Sequence, residues 1–462
     1  MLDKITDVFQ HRRGGVLLHP RSLPASAEGN RIHRWLDFMH NSGLSVWQIL
    51  PLGVPHTDGS PYQTQSVFAV DPLLFPEATE MFGAAEPLRN EFRSFCREQA
   101  HWLEDFALYM VLKRLYVGNP WYSWMAPHRN RDAAALEKIR QQYECELTAV
   151  KWQQYALLEF WRGLHRQALE QGILIYGDLP IFVAHDSADV WAHPEWFMLD
   201  DKGQPVYVSG VPPDYFSATG QRWGNPHYDW QAMQADGFSW WKARIKYLLE
   251  WVDMFRIDHF RGLEAVWMID AEDKSAVNGF WQQTLGDELL SAITSEMGPV
   301  PMVAEDLGII TDAVRELKQK YRLPGMSVLQ FGFDAFDDNP HKAHNITADT
   351  VVYTGTHDNN TLLGWFSSLS EQEQEHVRDS LGISVDDDIV WTMIEKSMFS
   401  SACLSVIPIQ DFLSLGEEAR FNTPGTMEGN WNWMLPLENL NENLQKRIHD
   451  LLASSGRLPN EQ

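Results

Sequence analysis

Cysteine, positive charge and long apolar runs are what this 462-residue sequence has little of. Cys96, Cys145 and Cys403 are odd in number, widely spaced and in no C-x-x-C arrangement. That excludes a disulfide framework and leaves reduced thiols, packed as small apolar groups, as the expectation. Only 37 Lys and Arg face 63 Asp and Glu, a formal charge of −26. No basic run exceeds two residues, so little is available to neutralise phosphates, and nucleic acid and anionic membranes are poor partners. No stretch approaches the roughly 18 uncharged apolar residues of a membrane span. The opening MLDKITDVFQHRRGG lacks the apolar core of a secretory signal, and a cytoplasmic location is expected. Phosphate-binding loops, zinc motifs and flavin fingerprints are missing too. His185 and His193 in HDSADVWAH are eight residues apart, not the i, i+4 of a helical metal pair, so they read as structural.

What is abundant is apolar and aromatic. With 44% apolar and 22% charged residues the chain can bury a large core. Twenty Trp, 23 Phe and 13 Tyr make up 12% of it, and several Trp sit in loop-like surroundings, GQRWGNP at 220–226 and EGNWNWM at 428–434. An indole in such a place suits stacking on a sugar ring, although most tryptophans are expected in the core.

Short β-branched runs ending in a polar residue recur, followed by helical periodicity, which is the pattern of parallel strands with crossover helices. Eight are found, at 15–19, 45–50, 172–178, 253–258, 301–305, 326–330, 350–355 and 402–408. The fold class expected is α/β, a (β/α)8 TIM barrel with helical and loop insertions between strands. Residues 1–51 form its first segment. Residues 52–171 are far too many for one crossover; they carry helical stretches at 104–116 and 150–170, stopped by Gly118 and Gly172, and read as an inserted, mainly helical subdomain. Residues 172–462 complete the barrel, with an insertion at 181–250 whose Pro-, Gly- and Asn-rich middle, 210–228, reads as a long loop at the active site.

Barrel chemistry sits at the carboxyl ends of strands. Four strands end in, or run into, an acid: Asp178 in YGDLPIF, Asp258 in FRIDHF, Glu305 in VAEDLG and Asp358 in TGTHDNN. One such acid is usually a cap or turn residue, but four converging on one barrel mouth form a site. Arg256 lies two residues before Asp258, hence on the same face of the strand. A guanidinium beside a carboxylate favours the ionised form that a nucleophile needs. Glu305 follows Val303-Ala304, an apolar setting that would raise its pKa toward that of a general acid. Two carboxylates in unlike environments are the equipment of glycosidic-bond chemistry.

These motifs resemble the amylomaltases, 4-α-glucanotransferases of the α-amylase clan. The likeness runs in order through GVLLHPRSLP, WQILPLG, SPYQ, GDLPIFVAHDSADVWAHPEWF, GVPPDYFSATGQRWGNPHY, FRIDHFRG, VAEDLG, TGTHDNNT, PIQDFLSLGEEARFNTPGT and GNWNWMLP, nearly the whole chain. The resemblance implies Asp258 as nucleophile, Glu305 as general acid/base and Asp358 as transition-state stabiliser. It implies further that Arg256 holds the nucleophile, that His357 and Asp178 belong to the donor-sugar pocket, that Tyr62, Trp223 and Phe331 line the glucan path, and that Asn430 binds substrate. The partners implied are α-1,4-glucans and maltooligosaccharides as donor and acceptor, with no metal and no organic cofactor. The sequence departs from the family at GVPHTDG ahead of SPYQ and at Met434, where Arg is frequent; these positions bear on subsites, not on the core chemistry. A hydrolase using the same three acids with water as acceptor is the nearest alternative. A glucan-binding protein without catalysis is another, against which stand the three intact acids.

Overall fold

The computed structural model describes residues 8–24, 30–83, 86, 89–213, 217–426 and 428–459. Its strands are β1 (Arg13–Leu17), β2 (Val46–Gln48), β3 (Leu174–Leu179), β4 (Tyr207–Val211), β5 (Gln221–Pro226), β6 (Met254–Ile257), β7 (Ala265–Asp270), β8 (Phe280–Gln283), β9 (Met302–Ala304), β10 (Gly325–Val328), β11 (Thr350–Tyr353) and β12 (Leu404–Pro408). Eight of them form one sheet in the order β10-β11-β12-β1-β2-β3-β6-β9, every pair parallel. A single backbone hydrogen bond, Ala304 N–H to Pro324 O at 2.8 Å, crosses the remaining seam and brings β9 beside β10. The eight strands are the eight runs read from the sequence, each shorter or shifted by a few residues, and the barrel is confirmed.

Side-chain alternation divides the core. Leu17, Val46, Tyr176, Met254, Val303, Val351 and Val406 belong to a cluster inside the barrel. Their chain neighbours Val16, Trp47, Ile175, Phe255, Met302, Val352 and Ile407 belong to the layer between barrel and helices. This is the period of two, with both faces of each strand buried, as parallel sheets require. The inward row of β6 is Met254, Arg256 and then Asp258; that of β3 is Tyr176 and then Asp178. The polar residues Asp178, Arg256 and Asp258 are therefore the last inward positions of strands whose first inward positions, Tyr176 and Met254, belong to the interior cluster.

Between β2 and β3 the chain forms helices at Pro76–Phe82, Asn90–Glu98, Ala100–Leu115, Ala126–Arg129, Ala133–Gln142 and Glu144–Glu170. Their apolar faces, including Phe92, Leu103 and Trp152, merge with the outer barrel layer into one cluster. Gly172 (φ +74°) ends the Glu144–Glu170 helix in the left-handed conformation, whereas after Ala100–Leu115 that turn begins at Val117 (φ +55°), one residue before Gly118 (φ +80°).

The 210–228 stretch is not a loop throughout, which corrects the reading from its composition. Strands β4 and β5 pair antiparallel, and with β7 and β8 they make a second, four-stranded sheet in the order β5-β4-β7-β8. Gly210 permits the pairing, since a Cβ there would lie 2.1 Å from the Gln221 carbonyl oxygen. Asp214, Tyr215 and Phe216, at the centre of the motif, lie outside the described residues. The cysteines also need correcting: all three are free, but only Cys403 is buried, Cys96 is half-buried and Cys145 is exposed. No helix among the described residues is long and apolar enough to cross a membrane.

Candidate active site

Arg256, 6% exposed, is the hub of the site. Its Nη1 donates to both carboxylate oxygens of Asp178, at 2.8 and 2.7 Å, and its Nη2 donates to Asp258 Oδ1 at 2.7 Å. The register makes this possible, because Asp178 on β3 stands directly opposite Arg256 on β6. Burial works against the Arg256 charge, but Asp178 and Asp258, with Tyr62 and Glu305 adding, hold its pKa well above the usual value. Asp178 is itself fully enclosed and its carboxyl is raised by burial, against the pull of Arg256. The Tyr62 hydroxyl donates to Asp178 Oδ2 at 2.7 Å. Burial, and then Asp178, keep that phenol protonated.

Glu305 begins where β9 ends, its N–H donating to Ile257 O at 3.1 Å. Its Oε2 accepts the His259 N–H at 2.6 Å and its Oε1 the Leu307 N–H at 2.9 Å. Burial pushes its pKa up to about 7, with Arg256 opposing and Asp258 adding. The two carboxylates are thus distinguished by environment: Asp258 shares a guanidinium, whereas Glu305 has only backbone N–H donors. His259 has a left-handed backbone (φ +49°). That turn aims its N–H at Glu305, and burial, against the pull of Asp258, lowers its imidazole pKa to about 4.

The third acid stands on the loop after β11. Asp358, 47% exposed at its side chain, accepts from Asn422 Nδ2 at 2.6 Å through Oδ1, and its carbonyl accepts from Arg420 Nη2 at 2.8 Å. His357 Nε2 lies 3.3 Å from Asp358 Oδ1, and the His357 ring stacks on Tyr62 at 5.2 Å between centroids. Beneath this loop Asp411 accepts from Thr354 Oγ1 and from the Leu362 N–H, both at 2.7 Å, pinning the two ends of residues 354–362. Burial pushes its carboxyl up to about 6.

The other residues expected at the site divide. The half-buried indole of Trp223, on β5, meets the His259 ring edge-on at 5.0 Å, so the antiparallel sheet delivers it beside the Asp258–His259 turn. Phe331, in a short 3-10 helix after β10, packs with Tyr62 and Leu307 against the interior cluster. Asn430 is turned inward on its own loop: Oδ1 accepts the Thr423 N–H at 2.9 Å and Nδ2 donates to Thr426 O at 3.0 Å. His185 belongs to the scaffold, its Nε2 donating to Gly203 O at 2.7 Å. No group of three or more His, Cys, Asp or Glu side chains among the described residues is placed to hold a metal ion.

The profile of the 4-alpha-glucanotransferase family matches residues 18–79 and 74–439. The 4-alpha-glucanotransferase of Thermus thermophilus is 40% identical, covering 97% of this chain and 99% of its own. The chain belongs to the 4-alpha-glucanotransferase family. Another relative, the chloroplastic/amyloplastic 4-alpha-glucanotransferase of Solanum tuberosum, is 38% identical over 98% of this chain and 88% of its own. The solved structure of an amylomaltase from Streptococcus agalactiae, in complex with acarbose, superposes with a TM-score of 0.92 at 30% identity, covering 97% of this chain and 100% of that one.

Within this 4-alpha-glucanotransferase fold, sequence reasoning missed Arg420 and Asn422, which grip Asp358, Asp411, which pins its loop, and the His259 N–H on Glu305. Arg420, Asn422 and Asp411 all lie in PIQDFLSLGEEARFNTPGT, and polar residues within so specific a motif were the available signal.

Proposed function

We propose that this 4-alpha-glucanotransferase transfers a segment of an α-1,4-glucan to the 4-hydroxyl of another glucan or of glucose, by retaining double displacement. In the first half-reaction protonated Glu305 gives its proton to the glycosidic oxygen while Asp258 attacks the anomeric carbon. The bond to the leaving sugar breaks, a β-linked glycosyl-Asp258 ester forms and the reducing-end fragment departs. In the second, Glu305 carboxylate takes the proton of the acceptor 4-hydroxyl, whose oxygen displaces Asp258 and restores the α-linkage. Arg256 orients Asp258 throughout, and Asp178, itself held by the Tyr62 hydroxyl, holds Arg256. Asp358, fixed by Asn422, bonds ring hydroxyls as the anomeric centre becomes cationic, with His357 beside it. Tyr62, Trp223 and Phe331 flank the glucan, and Asn430 keeps the 423–430 loop in shape around it.

The observation that carries this reading is the pair of unlike carboxylates: Asp258 on a shared guanidinium, Glu305 half-buried and held by backbone N–H groups with its pKa raised to about 7. Transfer outruns hydrolysis when the acceptor excludes water, and Trp223 beside His259 is the group placed to do so. Three free cysteines are in keeping with a reducing, cytoplasmic setting. Incubation with maltotriose alone is the test. A ladder of longer maltooligosaccharides together with glucose is expected, whereas glucose and maltose with nothing longer would make the chain a hydrolase.

A further inference from the structure

The helix Ser239–Leu248 carries Arg244 and Tyr247 three residues apart on one face, and the turn that follows it carries Trp251. All three line a cavity of about 70 Å³ between this stripe, the 49–70 segment and the 177–184 turn. The space equals about two water volumes at roughly 30 Å³ each, and its walls are largely apolar, with Phe68, Leu179 and Val183 among them.

The polar tips in that wall have one thing in common. Arg244 is 2% exposed; its Nη2 donates to Pro180 O at 2.6 Å, but its Nε and Nη1 are buried without a hydrogen-bond partner. Tyr247 Oη and Trp251 Nε1 are likewise buried, and the two side chains interact with each other. Every one of these four atoms can donate, and none is only an acceptor. No carboxylate forms an ion pair with Arg244 among the described residues. Tyr228, whose hydroxyl is neutral, is its nearest polar side-chain neighbour, and Asp189 acts on it only from a distance, with one oxygen committed to the Val67 N–H at 3.0 Å. The guanidinium is held in place by the Trp240 and Trp241 rings, at 5.4 and 5.1 Å.

We propose that this cavity is a binding site for a small monovalent anion of halide size, accepting from Arg244, Tyr247 and Trp251. A buried guanidinium without a contacting counter-charge, in a cavity wall that also carries Tyr247 and Trp251, asks for an acceptor that carries charge. Water is the weaker solution, because each molecule accepts twice but brings two protons that need acceptors of their own. The site differs from the reaction centre: its donors come from the helix outside the barrel and the residues just after it, and it borders the active site at Tyr62 and the Asp178–Pro180 segment, which line both.

Bromide is the probe. Crystals grown in acetate and soaked in sodium bromide should show an anomalous bromine peak within hydrogen-bond reach of Arg244 Nε and Nη1. In solution, bromide at millimolar concentrations should raise the melting temperature over acetate at equal ionic strength, and the rise should saturate. Tyr247→Phe removes one donor without changing the packing volume and should weaken the saturating concentration about tenfold, a loss of one charge-assisted hydrogen bond; Arg244→Gln should abolish the effect. Ordinary waters in the cavity, a bromide peak with no saturable stabilisation (binding at crystal concentration only), or an unaltered response in Tyr247→Phe would each overturn the proposal.

Discussion

The pKa of Glu305 offers the most searching test of the mechanism. Its rise from 4.5 to about 7 corresponds to about 3 kcal/mol of preference for the protonated form. Glu305 is then mostly protonated at pH 6, half so near 7 and about one-tenth so at pH 8. The first half-reaction needs the proton, so kcat/KM for maltotriose should fall tenfold per unit above pH 7, a limb that reports the free enzyme. Glu305→Gln should remove this limb and lower kcat/KM by about 10²–10⁴-fold, the usual worth of a general acid. An α-maltosyl fluoride donor needs no protonation of its leaving group, so Glu305→Gln should still release fluoride. It should stop after one equivalent per site, because no base remains to activate the acceptor hydroxyl. The assay is a fluoride-electrode burst measured beside steady-state sugar analysis. Fluoride release impaired as severely as maltotriose turnover, or an alkaline limb that persists in the variant, would show that Glu305 is not the proton donor.

Four further outcomes are expected. Asp258→Asn should abolish transfer yet leave maltooligosaccharide affinity by calorimetry close to wild type; near-normal turnover would remove it as nucleophile. Trp223→Ala should raise the ratio of hydrolysis to transfer in a maltotriose product profile, and an unchanged ratio would end the water-excluding role of β5. Tyr62→Phe deprives the enclosed Asp178 of a donor at 2.7 Å, a loss of about 1.5–3 kcal/mol for a hydrogen bond to a charged group. It should cost about tenfold or more in kcat/KM, and full activity would refute the chain from Tyr62 through Asp178 to Arg256. Burial lowers the pKa of His227 from 6.5 to about 4, so its contribution to stability is present above pH 6.5 and is lost as pH falls toward 4, at about 1.4 kcal/mol per pH unit. Urea unfolding of His227→Phe from pH 7 to 4.5 should show a slope smaller by one proton, and an unchanged slope would count against this assignment.

The barrel was legible in the sequence because the period-two alternation of strands buried on both faces is a local property. Val16 and Leu17, or Phe255 and Arg256, must face opposite ways whatever the rest of the chain does. The same locality placed Arg256 and Asp258 on one face, and put Asp178, Asp258 and Glu305 at strand ends. The antiparallel sheet escaped notice because β5 ends in Gly-Asn-Pro and the stretch joining it to β4 is rich in Pro and Gly. Their pairing depends on Gly210 meeting Gln221 and on β7 lying alongside, not on any pattern within the segment.

Tertiary structure alone decided how the acids differ. Asp258 and Glu305 are both single carboxylates after short apolar strands. One became the partner of a guanidinium and the other a half-buried acid with a pKa of about 7 because strand order set β3 against β6 and β6 against β9. Tyr62 reached Asp178 across 116 residues, Asn422 reached Asp358 across 64 and Asp411 reached Thr354 across 57. A side chain's direction follows from its own strand, whereas its charge state depends on which distant groups the closing barrel brings to it and how much water it leaves there.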